Sequence, residues 1–123
     1  MSEHDQQAAL VKWFNLQYPK LKGCLFAIPN GTHLAGDRAQ RARKMNKLKA
    51  EGFKAGVSDL FLCVASNGYH GLFLEMKDKG KTKCHLSGPQ KDHLELVETQ
   101  GYSGEWASGF DQGKEVIEAY LCE

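Results

Sequence analysis

The chain has 123 residues and a formal net charge of +1 at pH 7. This length suits one domain with a single core, and a hydrophobic fraction of 41% excludes a disordered chain. No apolar run approaches the length of a membrane span, and the N-terminus lacks the basic and apolar regions of a signal peptide. We therefore expect one domain, residues 1–123, in an intracellular, cytoplasmic protein without membrane contact.

The charged residues are unevenly distributed along the chain. Residues 12–54 contain ten Lys or Arg against two acidic residues, and residues 77–91 contain five Lys against one acidic residue. Residues 92–123 reverse this balance, with eight acidic residues against one Lys. A run of charge is most often a solvated face, but a basic half followed by an acidic segment also indicates a surface for a polyanion.

The four cysteines are scattered and form no C-x-x-C pair. Zinc sites need clustered ligands, so we predict free thiols in a reducing compartment. Cys63 lies in an apolar run and is expected to be a small core residue.

The N-terminal half predicts a helix, a short strand and a second helix. Ser2 can cap a first helix that runs to about Tyr18, where Pro19 helps to end it. Residues 24–28 read as a strand. Residues 35–51 form a second predicted helix with a thin apolar stripe, and its other faces are basic because it carries Arg38, Arg41, Arg43, Lys44, Lys47 and Lys49.

The middle of the chain predicts a β-hairpin. Residues 60–65 are almost wholly apolar, which is typical of a strand buried on both faces. Residues 72–76 form the second strand. Asn67-Gly68 between them favours a type I′ turn, because both residues tolerate positive φ.

After the hairpin, residues 78–86 read as a mobile basic loop with Lys79, Lys81 and Lys83. Ser87 and Gln90 form a capping-box pattern for a third helix that ends near Gly101. Residues 102–108 are a predicted strand, and Asp111 could cap a last helix. The order of these elements predicts a mixed α/β domain.

Asp59, Glu75 and Lys77 are the strongest candidates for chemistry. Asp59 opens the first strand of the predicted hairpin and Glu75 is near the end of the second, so the two carboxylates can meet. Glu75 and Lys77 are two residues apart and share a strand face. Two carboxylates offer hard oxygen ligands to Mg²⁺ or Mn²⁺, and a lysine beside them could orient a water, take its proton or stabilise phosphoryl charge. The alternative is a surface ion pair at a sheet edge.

Two further polar residues have simpler explanations from the residues alone. Glu3 lies at the start of the first helix, where it compensates the helix dipole. Gln90 belongs to the capping box.

The sequence resembles the VRR-NUC domain family of the PD-(D/E)XK nuclease superfamily. The matching motifs cover nearly the whole chain in the family's order, so we expect a stand-alone, minimal version of bacterial or phage type. They are Glu3 with Gln7, Pro29-Asn30-Gly31, Lys49-x-Glu51-Gly52, Gly56-Val57-Ser58-Asp59-Leu60, His70-Gly71-Leu72-Phe73-Leu74-Glu75-Met76-Lys77, Ser87-x-x-Gln90 and Gly101-Tyr102. One position departs from the pattern: Ser58 stands where the family usually has proline.

The resemblance implies a restriction-endonuclease-like αβββαβ core, with a mixed central sheet flanked by helices. It implies that Asp59, Glu75 and the Met76 carbonyl bind the metal and that Lys77 is the catalytic lysine. It further implies that Glu3 is an acidic residue completing the site, with a role as metal ligand left open, and that Gln90 is a polar residue supporting the site.

The expected activity is a Mg²⁺- or Mn²⁺-dependent DNA endonuclease that hydrolyses phosphodiester bonds in branched DNA. Four-way (Holliday) junctions are the expected substrate and a homodimer the expected assembly, with Trp13, Phe14, Trp106, Phe110 and Tyr120 as interface or core residues. The basic helix and loop (Arg38, Arg41, Arg43, Lys44, Lys47, Lys49, Lys79, Lys81 and Lys83) are expected to contact DNA. Two alternatives remain: a non-catalytic DNA-binding module on the same fold, and a sequence-specific restriction-type enzyme.

Overall fold

The computed structural model describes residues 2–29 and 34–122, and these residues form a four-stranded sheet flanked by helices. In chain order the elements are α1 (Glu3–Gln17), β1 (Leu25–Ala27), α2 (Arg38–Ala50), β2 (Leu60–Leu62), β3 (Leu72–Lys77), α3 (Gly88–Thr99), β4 (Ser103–Ser108) and α4 (Gly109–Leu121). Two short 3-10 helices lie at Pro19–Leu21 and Lys83–His85. Within the described residues, no helix combines the length and apolarity that a membrane crossing requires.

The sheet is mixed, as the sequence predicts. Its strand order is β1-β2-β3-β4, and β1–β2 and β2–β3 are antiparallel whereas β3–β4 is parallel. The parallel pair needs a crossover, and α3 supplies it between β3 and β4. The predicted mixed α/β architecture is therefore confirmed.

The two faces of the sheet have different neighbours. One face carries Leu60, Leu62, Leu72, Leu74 and Met76, all buried against α1 and α4 in the main core. Because side chains alternate along a strand, the opposite face carries the residues between them on β3, which are Phe73, Glu75 and Lys77. Helix α3 packs on this second face at β4 and β3. The candidate active-site residues Glu75 and Lys77 therefore lie on the sheet face opposite the main core.

The first strand of the hairpin is shorter than predicted, whereas the second agrees with the prediction to within one residue. Leu62 pairs with Leu25 on one side and with Leu72 on the other, and each of these is the first residue of its strand. Strand β2 therefore ends at Leu62 and not at residue 65, because its neighbours have no further strand residues to offer. Cys63 follows this end and is exposed, so the prediction that it is a core residue is wrong.

Other boundaries also differ from the sequence predictions. Helix α2 begins at Arg38 because Asp37 is its N-cap and accepts a hydrogen bond from the Gln40 N–H. Helix α4 begins at Gly109, directly after β4, so Asp111 lies in its first turn and does not cap it. The basic loop contains the 3-10 helix at Lys83–His85. The predicted interface candidates Phe14 and Tyr120 are core residues.

The hairpin turn also fixes the C-terminal helix. Asn67 has φ 51° and Gly68 has φ 83°, the positive values that a type I′ turn requires. The Asn67 side-chain amide donates to the carbonyls of Ala119, Tyr120 and Cys122, at 3.2, 2.9 and 2.6 Å. The last carbonyls of a helix have no partner within the helix, so Asn67 both turns the hairpin and caps α4.

A buried glutamine performs the matching role at the other end of α4. Ser108, the N-cap residue, makes no side-chain capping bond. The buried Gln6 of α1 instead accepts a hydrogen bond from the Phe110 N–H at 2.7 Å. Helices α1 and α4 are thereby joined by a polar contact as well as by apolar packing.

Two substitutions at Asn67 separate its two roles. Asn67→Gly keeps the positive φ and removes the cap, so we expect it to lower the free energy of unfolding by about 1 kcal/mol. Asn67→Ala removes the cap and also places a Cβ in the left-handed region, which adds about 1–2 kcal/mol. Urea denaturation of the three proteins measures both effects. Equal stability of the Gly and Ala variants would contradict the strain contribution.

Candidate active site

Asp59 is held between β1 and β3 at the start of β2. Its carbonyl accepts a hydrogen bond from the Ile28 N–H at 2.8 Å. Its side-chain Oδ2 accepts a hydrogen bond from the Met76 N–H, also at 2.8 Å. The pairing of Leu60 with Leu74 places Asp59 beside Glu75, so the two carboxylates meet as the hairpin predicts.

Glu75 is the buried centre of the cluster, with 2% of its surface exposed. Its Oε1 accepts a hydrogen bond from Gln90 Nε2 at 2.7 Å, and Lys77 Nζ lies 3.8 Å from the same oxygen. Its Oε2 is buried without a hydrogen-bond partner among the described residues. A buried carboxylate oxygen without a partner is costly, so this atom marks a place where a ligand would relieve an unfavourable state.

The electrostatics reflect two carboxylates sharing a buried site. Burial raises the pKa of Glu75 to about 8, and the neighbouring charge of Asp59 contributes in the same direction, while Lys77 opposes it. Burial also raises the pKa of Asp59, against the hydrogen bond from the Met76 N–H and the charge of Lys77. Either a proton or a cation can stabilise such a pair.

Glu3 lies at the edge of the same cluster, in the first turn of α1. Burial raises its pKa, followed by the negative charge of Asp59, and the charge of Lys77 acts in the opposite direction. These interactions place Glu3 near the carboxylate pair. Glu3 therefore does not act only on the dipole of its own helix.

Gln90 combines the two roles between which the sequence could not decide. Its backbone N–H donates to Ser87 Oγ at 3.2 Å and its Oε1 accepts from the Ser87 N–H at 2.8 Å, which completes the capping box. The remaining amide group, Nε2, donates to Glu75. The N-terminus of α3 and the buried carboxylate are thus fixed by one side chain. Met76, whose carbonyl is a predicted ligand, uses its N–H to hold Asp59.

The predicted DNA-contacting residues lie away from this buried centre, on exposed surfaces. The basic residues of α2 are exposed, and α2 contains no buried residue. Arg41 Nη1 donates to the Gly36 carbonyl at 2.6 Å, and Lys44 Nζ donates to the Ala35 carbonyl at 2.7 Å. These two side chains are engaged with their own chain. Exposed lysines of the basic loop are Lys79, Lys81 and Lys83.

Three residues near the cluster were missed or underestimated in the sequence. Asp78 influences the pKa of Glu3 and has a buried Oδ1 without a partner among the described residues, but it was counted as part of the basic loop. Trp106 of β4 stands in register with Glu75, and only the parallel pairing of β3 and β4 could have indicated this. Ser58, in place of the family's proline, is fully buried, and no partner for its Oγ is found in the described residues.

The donor set fits a hard divalent cation. Asp59 and Glu75 provide carboxylate oxygens, Glu75 Oε2 has no partner in the described part of the chain, and both pKa values are raised. In residues 2–29 and 34–122, no three His, Cys, Asp or Glu side chains form a complete ligand cluster. Mg²⁺ commonly binds one or two carboxylates and keeps waters or substrate oxygens as its other ligands, so two carboxylates suffice.

Comparison with solved structures finds a similar protein. No protein-family model matches the chain, and no curated protein matches it either. A solved structure described as "VRR_NUC domain protein" superposes with a TM-score of 0.80 and 27% sequence identity, over 98% of this chain and 88% of the other. Asn30 and Gly31, which belong to one of the motifs, lie outside the described residues. The resemblance to the VRR-NUC family that the sequence motifs indicate is confirmed in fold and sequence over nearly the whole chain.

Proposed function

We propose that this protein is a divalent-metal-dependent endonuclease that hydrolyses phosphodiester bonds in branched DNA, with Mg²⁺ or Mn²⁺ as the metal. The observation that carries the proposal is the pair of the half-buried Asp59 and the buried Glu75 with Lys77 beside it, on a fold similar to a VRR_NUC domain protein. Four-way junctions are the proposed substrate. A purely DNA-binding module would have no need of a buried carboxylate, Glu75, whose pKa is raised further by a second carboxylate, Asp59, beside it.

Each residue of the cluster has a role in this proposal. Asp59 and Glu75 hold the metal, with the Met76 carbonyl and Glu3 as further oxygen donors. A bound Mg²⁺ or Mn²⁺ polarises a phosphoryl oxygen and lowers the pKa of a water molecule. Lys77 Nζ, 3.8 Å from Glu75 Oε1, stabilises negative charge at the phosphate or takes a proton from the water. Gln90 is a positioning residue, because it fixes the Glu75 side chain from α3.

The basic surfaces supply the attraction for DNA. The exposed Arg and Lys residues of α2 and the lysines of residues 79–83 are free to meet phosphates, except that Arg41 and Lys44 already bond to carbonyls. Helical geometry at 3.6 residues per turn places Met45 and Leu48, the half-buried residues of α2, roughly opposite Arg43 and Lys47. Arg43 and Lys47 are therefore the outward-facing basic residues of α2.

We also propose that the protein acts as a homodimer. Resolution of a junction takes two symmetric cuts, and a two-fold axis provides two active sites from one gene product. Phe14 and Tyr120 are core residues and are not available for an interface. Leu16 of α1 is 73% exposed and lies at a groove of about 570 Å³ with Val11 and Lys12, so this face of α1 offers an apolar surface to a partner.

The first prediction concerns the metal site. Asp59→Asn and Glu75→Gln each remove one ligand charge and keep the shape of the side chain, so cleavage should be lost while DNA binding survives. Mn²⁺ should raise the melting temperature of the wild-type protein, because a ligand that binds only the folded state stabilises it, and this rise should be absent in Glu75→Gln. Labelled four-way junctions and thermal melts provide the two readouts. Full cleavage rates in both variants would refute the site.

The second prediction concerns Lys77. Lys77→Ala should lower the rate of the chemical step by about a hundredfold or more, the usual scale for a positioned proton-transfer or electrostatic group. Lys91→Ala is the matched control, since Lys91 is exposed and is not among the proposed DNA contacts. Single-turnover cleavage at saturating metal measures the step. A variant that cleaves normally but melts at a much lower temperature would make Lys77 only a structural partner of Glu75.

The third prediction concerns the charges of α2. If α2 contacts phosphates, the logarithm of the DNA affinity falls with the logarithm of the salt concentration by about 0.9 for each phosphate neutralised. Arg43→Gln with Lys47→Gln should reduce this slope by up to about 2 and weaken all duplex sequences alike. Arg41→Gln with Lys44→Gln is the matched control and should change the slope less. An unchanged slope in the first pair would place the DNA surface elsewhere, on the lysines of residues 79–83.

The fourth prediction concerns the assembly. Sedimentation at micromolar concentration should give about twice the chain mass of 13.7 kDa, and Leu16→Glu should shift the protein towards the monomer. Leu96→Glu is the control, because Leu96 is also exposed but lies on α3. A monomeric wild-type protein that converts a supercoiled cruciform to linear product in one encounter would overturn the dimer.

A further inference from the structure

The sheet face that carries Glu75 and Lys77 is covered only in part. Helix α3 packs on it at β4 and β3, and in the described part of the chain no helix packs extensively on this face of β1 and β2. Phe26 of β1 pairs with Phe61 of β2, and Phe61 pairs with Phe73 of β3. All three side chains therefore lie on this face, opposite the leucine core.

The three rings form a continuous row across the strands. The ring centroids of Phe26 and Phe61 are 5.7 Å apart with a near edge-to-face arrangement, and those of Phe61 and Phe73 are 4.6 Å apart. Tyr102 extends the row at 5.5 Å from Phe73. The outer end of the row is open, because Phe26 remains 44% exposed.

A glycine shapes this surface. A Cβ at Gly71 would lie 2.8 Å from Cζ of the Phe61 ring and 2.9 Å from Cε1. The Phe61 ring therefore leans over the backbone of β3 at a place where any side chain would push it away. At the inner end of the row, the buried His93 of α3 packs at 90° against Phe73. The Gly71 backbone beside Phe61 and the His93 ring beside Phe73 thus hold the phenylalanine rings in position in the absence of a ligand.

The row crosses β3 beside the candidate active site. Phe73 and Glu75 are two residues apart on β3 and share a face, which corresponds to a separation of about 7 Å along the strand. Positive charge lies nearby: Lys77 is on the same strand face, and Lys54 is near enough to affect the pKa of His93. Phe26 is exposed, whereas Phe61 and Phe73 are half-buried. Aromatic rings open to solvent beside basic side chains are the combination by which proteins hold unpaired nucleotides, with rings stacking on bases and cations meeting phosphates.

We propose that the row of Phe26, Phe61 and Phe73 is a stacking site for unpaired bases of the DNA, next to the scissile phosphate. This inference rests on the proposed function for its ligand class and adds the part of the substrate that is recognised. Base pairs in a duplex do not expose their faces, whereas a branch point offers bases that can leave the stack. Selection of branched DNA then comes from the sheet face of a single chain, without base-specific hydrogen bonds.

The experiment measures binding without cleavage, in EDTA. The probes are a splayed-arm DNA with 2-aminopurine at the first unpaired position and a duplex of the same sequence. Phe26→Leu keeps an apolar side chain but removes the ring, and Phe26→Trp keeps a ring. Leu96→Ala is the control for loss of exposed apolar surface elsewhere, because Leu96 is 50% exposed on α3, and circular dichroism checks the fold of each variant.

Stacking quenches 2-aminopurine, so the wild-type protein and Phe26→Trp should quench the splayed arm. Phe26→Leu should quench it less and bind it about tenfold more weakly, the scale of one lost base–aromatic contact, with duplex binding unchanged. Equal splayed-arm binding by the wild type and Phe26→Leu would overturn the inference. A change of oligomeric state in Phe26→Leu without a change in DNA binding would overturn it in favour of a second copy covering this face.

The experiment distinguishes failure of the stacking site from failure of the nuclease proposal. Loss of splayed-arm binding in Phe26→Leu, in a protein that never cleaves DNA with Mg²⁺ or Mn²⁺, would support the stacking site and refute the nuclease. Metal-dependent cleavage with unaltered Phe26→Leu binding would do the reverse. Absence of DNA binding by the wild-type protein would refute both.

Discussion

The structure depends on one constraint: two carboxylates, the half-buried Asp59 and the buried Glu75, are held side by side. Asp59 and Glu75 are brought together by the register of β2 and β3, and each is held by a backbone or side-chain donor from a neighbouring element. Such an arrangement costs stability, because burial and like charge both disfavour the ionised pair. Proteins keep strained polar groups of this kind where function requires them. The rest of the sheet serves to hold the two side chains in place.

The support for Glu75 comes from several elements at once. Gln90 donates to it from α3, Lys77 approaches it from the same strand, and Trp106 lies in register with it on β4. A site built on strands and a helix N-terminus is held more firmly than a site on loops. Because Gln90 also completes the capping box of its own helix, a change at Ser87 would disturb the helix end and the carboxylate together.

The sequence predicts the order of elements and the central adjacency well, for identifiable reasons. The Asn67-Gly68 turn joins β2 and β3 as antiparallel neighbours, and the pairing of Leu60 with Leu74 brings Asp59 to Glu75. Prediction from the sequence fails where the environment of a residue depends on neighbours that are distant in the chain. Cys63 reads as a core residue from its apolar run, but β2 ends at Leu62 because the adjoining strands begin there. Asp78 and Trp106 could be assigned to the site only once the β3–β4 pairing was known, and the open face of β1 and β2 leaves no signal in the local pattern.

Helix α2 shows what the absence of buried residues means for the energy landscape of the chain. A helix of 13 residues with no buried side chain has little tertiary packing to offset the entropy of ordering it. Its opening therefore costs much less free energy than global unfolding, and amide exchange there should proceed independently of the sheet. The same decoupling frees its surface to vary: substitutions along α2 alter the electrostatic field around the protein while the stability of the sheet and its core stays the same.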